Sequence, residues 1–172
     1  MGSHDVKLDV EAGCSLWLAD IGEPSNNDLR VVVLEARGAP KPEETIVGPA
    51  TRIRPDEKSR GFELIWYGYV AYGIRNESYF RRETGEALSG HQLAVRTNSA
   101  FLSYVATTTF ATDDYPGKLT HWSLYTDWHC IDVVGPEPPQ VRQLDLAETG
   151  RYLNASKDGS SAIFSRFRGS PE

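Results

Sequence analysis

Apolar side chains recur along this chain mostly at every second position, the spacing of a strand buried on one face. The pattern is strongest from residue 62 on, where Phe62, Leu64, Trp66, Val70, Tyr72 and Ile74 fall on one face and Glu63, Tyr67, Tyr69, Arg75, Glu77 and Tyr79 on the other. A single strand of that length would reach ~60 Å at about 3.3 Å per residue, too far for one domain, so a bend is expected at Gly68 or Gly73. Leu119 to Val134 is overlong for the same reason, and a hairpin turning near Asp127-Trp128 resolves it. That register pairs Thr126 with His129, Tyr125 with Cys130, Leu124 with Ile131 and Ser123 with Asp132. It puts Trp122, Leu124, Ile131 and Val133 on the core face and His121, Ser123, Tyr125, Cys130 and Asp132 on the other.

Before residue 62, Val6 to Val10 and Leu16 to Leu18 suggest two short strands broken at Gly13, and Leu29 to Ala36 reads as a buried strand behind the turn formers of 23–28. Residues 45–54 read as a strand kinked at Gly48-Pro49, and 55–61 as a charged connector. A short strand is expected at 93–95 and another at 141–146; Gly135-Pro136 and the prolines after it close the sheet between 134 and 141. Residues 99–111 are contested. The threonines at 107–109 favour a strand, whereas the Asn98-Ser99 cap and the helical spacing of Phe101, Tyr104, Val105 and Thr108 favour a helix, which is the reading adopted. The expected fold is a strand-rich α+β domain: an antiparallel sheet of about six to eight strands with one main helix near 99–111 packed on it.

Composition adjusts this picture only slightly. A chain of 172 residues fits a single domain spanning 1–172, with 1–4 set aside as a possible tag and 168–172 as a frayed end. Fourteen aromatic residues between 62 and 128 place the core in the middle of the chain. The net charge of −6 argues against nucleic-acid binding and for a basic partner protein. The arginines and lysine at 52, 54, 58 and 60, and Arg81/Arg82, adjoin Asp56, Glu57 and Glu83 and read as solvated loops. No run approaches the ~20 apolar residues of a membrane span and no secretory leader is visible, so a soluble cytoplasmic protein is expected. Cys14 and Cys130 form no C-x-x-C pair and suggest neither a disulfide nor a metal site; no cofactor is expected.

Tyr72-Gly73-Ile74-Arg75-Asn76-Glu77-Ser78-Tyr79, then Phe101-Leu102-x-Tyr104-Val105, Tyr115-Pro116-Gly117, His121-Trp122 and His129-Cys130-Ile131-Asp132-Val133 together resemble a group of short uncharacterised bacterial proteins. The resemblance spans 72–133 and implies a bacterial origin and a shared fold, but no activity. Trp122 stands where that group often has tyrosine, and Cys130 where an aliphatic residue is usual.

For function, the sequence leaves two main readings, with a plain oligomerising scaffold as a third. The first is a non-enzymatic protein-binding module, such as an acidic immunity-type inhibitor, whose recognition surface is a wet sheet face carrying Tyr67, Tyr69, Arg75, Glu77, Tyr79, His121, Tyr125 and Asp132. The alternative is a small-molecule-binding or hydrolytic enzyme with a pocket between sheet and helix, using His121, Asp132 and Glu77. Ser123, His121 and Asp132 share a face, but no nucleophile elbow such as G-x-S-x-G accompanies them.

Overall fold

The computed structural model describes residues 7–46, 48–81 and 87–157. The possible tag at 1–4, Arg82, the Gly/Ser stretch at 159–161 with Ile163, Phe164 and Phe167 beyond it, and the frayed end at 168–172 lie outside the described residues.

The first hairpin joins β1 (Ser15–Ser25) to β2 (Asp28–Gly38). Its turn rests on Asn27 at φ 63°, a left-handed conformation that asparagine tolerates well. A small hairpin follows, β3 (Glu43–Thr45) with β4 (Gly48–Ala50). Gly48-Pro49 therefore opens the second arm of a hairpin and does not kink one strand. β5 (Ile53–Arg54) then pairs with the end of β2. β6 (Gly61–Tyr67) pairs antiparallel with β2, and the late strand β12 (Gln140–Gln143) pairs with β6. Together β1, β2, β5, β6 and β12 form one five-stranded sheet.

Gly68, at φ 62°, supplies the expected bend, and the bend changes sheets. The Tyr69 N–H still donates to Asn27 O, but the Val70 N–H already donates to Val134 O, in the second sheet. β7 (Ala71–Asn76) pairs there with β11 (His129–Gly135), which pairs with β10 (Thr120–Tyr125), then β9 (Leu93–Thr97) and β8 (Ala87–Gly90). The β10–β11 register is the one expected, Tyr125 opposite Cys130 through Ser123 opposite Asp132.

The architecture is thus mostly β, with two antiparallel five-stranded sheets where one of six to eight strands was expected. The correction has a simple cause. Leu16, Val31, Val33, Phe62, Leu64 and Trp66 of one sheet need an apolar cover, and Leu93, Trp122, Leu124, Ile131 and Val133 of the other provide it. Leu8 and Val10, expected in a strand, pack on this core from an irregular segment.

Helix α1 (Ala100–Thr108) confirms the helical reading of 99–111, with the Ser99 side chain capping it by accepting the Leu102 N–H at 3.0 Å. Val105, fully buried, points from it into the protein. A second helix, α2 (Leu146–Lys157), was not expected. Its signal was present in Asp145-Leu146-Ala147-Glu148, where Asp145 Oδ1 accepts the Glu148 N–H at 2.7 Å and Glu148 Oε2 accepts the Asp145 N–H at 3.0 Å, the reciprocal box that opens a helix. The helix packs through Thr149 and Leu153 on the outer face of the first sheet. Gly61 makes room for it: a Cβ there would meet Leu144 at 3.0 Å and Leu34 and Thr149 at 3.1 Å.

Candidate functional site

The outer face of the second sheet carries four of the residues on which the recognition surface was placed, Arg75, His121, Tyr125 and Asp132. Its centre is not wet. His121 is 1% exposed and Asp132 3%, and Ser123, Cys130 and Arg96 are buried beside them. The cover comes from two directions. Phe101 of α1 sets its ring 5.4 Å from the His121 ring, and Gly73, directly opposite Asp132 in the ladder, leaves space that Phe101 approaches. From the other side Phe80, just after the 3₁₀ turn Glu77–Tyr79, stands 5.5 Å from the guanidinium carbons of both Arg75 and Arg96 and meets Tyr125 edge-on. Sequence periodicity separates two faces of a sheet but does not say whether the second is solvated, because a capped helix and an aromatic lid can close it.

Beneath this cover runs a continuous hydrogen-bonded chain. Ser99 Oγ lies 2.6 Å from His121 Nδ1 while accepting the helix cap bond; His121 Nε2 lies 3.0 Å from Asp132 Oδ1. Ser123 donates to the same carboxylate oxygen at 2.5 Å, and Arg75 donates to Asp132 Oδ2 through Nε at 2.9 Å and through a terminal nitrogen at 2.6 Å. Arg96 adds a guanidinium 3.6 Å from Oδ1. Burial works to raise the Asp132 pKa, but the bonds from His121 and Ser123 and the charge of Arg75 win and hold it at about 2. Burial pushes the neighbouring Cys130 thiol up to about 11, with the Asp132 charge adding to it.

A hydroxyl, an imidazole and a carboxylate in series have the order of a nucleophile, its base and the group that orients the base. The serine in that position is Ser99, which sequence reasoning passed over except as a cap, and Ser123 bonds the carboxylate instead. Ser99 is itself buried, with its oxygen engaged both by the helix and by the histidine. What the relay does in this geometry is fasten the first turn of α1 to β10 and β11. A cavity of about 510 Å³ does open where α1 meets the sheet; Arg96, Asn98, Leu102, Lys118 and Glu137 line it, but His121, Asp132 and Glu77 do not.

The remaining surface candidates are scattered. Tyr67 is exposed at the end of the first sheet, and Tyr69 packs against the core, with its hydroxyl donating to Glu23 at 2.6 Å. Burial, with that bond adding to it, raises the Tyr69 pKa to about 12. Tyr79 is exposed, Glu77 beside it is also exposed, Arg75 is spent on Asp132, and Tyr125 is half-buried under Phe80.

Among the described residues one group has the spacing of a metal site, Glu11, Cys14 and Glu35, with ligand atoms within 4.8 Å of one another. Its buried member, Glu35, is already satisfied by Arg60 Nε at 3.1 Å, a terminal nitrogen of Arg60 at 2.7 Å, the Arg60 N–H at 3.2 Å and the Glu11 N–H at 2.8 Å. Those donors occupy the oxygens that a cation would need.

Exposed aromatic surface gathers elsewhere. After α1 the backbone closes a tight turn, with the Thr112 N–H donating to Tyr115 O at 2.7 Å and the Tyr115 N–H to Thr112 O at 3.1 Å. The turn carries Asp113 and Asp114 and brings Phe110 parallel to Tyr115, ring centroids 6.4 Å apart at an interplanar angle of 4°. Phe110 is 84% exposed and Tyr115 68%.

No protein-family model, curated protein or solved structure matches this chain. No helix among the described residues is long and apolar enough to cross a membrane.

Proposed function

We propose that this chain is a non-enzymatic protein-binding module that grips a basic partner with the acidic aromatic turn after α1, as an acidic immunity-type inhibitor would. The observation that carries the reading is the stacked and exposed pair Phe110 and Tyr115. Two aromatic rings held in water offer a large apolar contact, and aromatic residues dominate the centres of protein interfaces. The turn beneath them is closed by its own backbone hydrogen bonds, so docking sacrifices little further conformational freedom. Asp113 and Asp114 between the rings, on a chain of net charge −6, supply a field that steers a basic surface toward the same point. Tyr104, exposed on α1, extends the aromatic area.

The test uses the product of the gene adjacent to this one in its source genome, the usual location of a toxin inhibited by such a protein. Calorimetry with the intact chain should give binding that weakens as salt rises. Phe110→Ala with Tyr115→Ala should weaken it by about 2 kcal/mol or more, roughly 30-fold, while Tyr79→Ala on another part of the surface leaves it within about twofold. No binding, or binding indifferent to loss of the aromatic pair, overturns the reading.

A further inference from the structure

The apolar layer between the two sheets runs out of cover at β7. Ile131 and Val133 on β11 are fully buried, yet Ile74 and Tyr72, paired with them across the ladder, are 43% and 37% exposed. β7 is the end strand of its sheet, and no strand among the described residues pairs with its outer side. Its backbone is open there too. The Glu77 N–H donates to Trp128 O, which in an antiparallel ladder turns the odd positions of β7 toward β11 and leaves the N–H and C=O groups of Tyr72 and Ile74 facing outward.

The other end strands of the two five-stranded sheets are poorer templates for pairing. β1 is broken by register shifts between Leu18 and Asp20 and between Gly22 and Ser25, with Pro24 inside the second. β8 and β12 have four residues each. β7 keeps one register with β11 from Ala71 to Asn76 and contains no proline or lysine. Its one charged side chain, Arg75, is drawn onto Asp132.

We propose that β7 pairs with β7 of a second copy of this chain, antiparallel about a two-fold axis at Gly73, joining two five-stranded sheets edge to edge. In that register Tyr72 of each copy faces Ile74 of the other, an aromatic and β-branched cross-strand pair, and the outward backbone groups of both residues bond across the seam. One strand thus supplies both halves of the interface, as a two-fold contact requires. No like charges face each other: Ala71 stands opposite Arg75, and Gly73 opposite Gly73. The net charge of −6 on each copy opposes approach, so added salt should tighten the dimer, the reverse of its effect on a basic partner. The seam shares no residue with the Phe110–Tyr115 turn.

Sedimentation of the full chain from about 1 μM to on the order of 1 mM should show monomer passing to dimer with a Kd of about 10–100 μM, in keeping with a small interface. Ile74→Lys puts a charge on the seam at an already half-exposed position and should weaken the dimer about tenfold or more, with the circular dichroism spectrum unchanged. Gly73→Cys reads the register directly. A Cβ there meets only Phe101 within 4 Å, at 3.9 Å, so the fold accommodates it, and facing Cα atoms of a pair without hydrogen bonds stand about 4.5 Å apart, within disulfide reach. Oxidised in a Cys130→Ala background, it should yield a disulfide-linked dimer, and exposed Tyr79→Cys in the same background far less. Monomer at every concentration, a dimer indifferent to Ile74→Lys, or Gly73→Cys cross-linking no better than Tyr79→Cys overturns the proposal.

Discussion

Asp132 is the residue on which the second sheet's outer face turns. Its carboxylate accepts from His121, Ser123 and Arg75, and it belongs to the buried ion pairs that are costly to break from one side. Asp132→Asn should lower unfolding free energy in urea by roughly 3 kcal/mol, with a smaller loss for Arg75→Gln, whose side chain is 43% exposed. The acid response follows from the depressed pKa. The group contributes fully above its ordinary value of 3.8, and the contribution disappears as pH falls toward about 2, a span worth about 2 kcal/mol. Thermal unfolding followed between pH 5 and pH 2 should therefore steepen in the native chain and flatten in Asp132→Asn. Some slope should remain, since Glu35 and Glu63 are also held below the usual carboxylate range by their arginine partners, against the opposing effect of burial.

At the scale of elements, two glycines stand where an added side chain would press on a neighbouring segment. Gly61 lies under α2, and a methyl group there would press on Leu144, Leu34 and Thr149 at 3.0–3.1 Å. Gly61→Ala should cost about 1–3 kcal/mol and loosen α2 first, visible as faster amide exchange in Leu146–Lys157 before the sheets respond. Gly90 is stricter. It holds φ +114° in the β8–β9 turn, and a Cβ would stand 2.2 Å from Leu93 O. A substitution there should disturb the edge hairpin even with the core intact.

For the whole molecule, the two sheets and two helices leave Cys14 half-buried and Cys130 fully buried, both as free thiols. Burial raises the pKa of each, that of Cys130 to about 11. Thiolate is the reactive form, so a disulfide reagent at pH 8 should modify at most one thiol of the native chain, slowly, and both in guanidinium. Rapid modification of two thiols in the native chain would contradict the packing of the two sheets on one core.

Period-two patterning determined the strands, the bend at Gly68 and the β10–β11 register, and the Ser99 cap with helical spacing determined α1, because these depend on neighbours a few residues apart. The Asp145/Glu148 box that opens α2 was equally local and equally legible, yet Gly150 and the polar run around it masked the apolar side of the helix. Tertiary structure alone decided that β6 and β7 part into different sheets and that Phe101 and Phe80 close over His121 and Asp132. Alternation along a strand divides its side chains between two faces. Which of those faces meets water depends on segments that arrive from far along the chain.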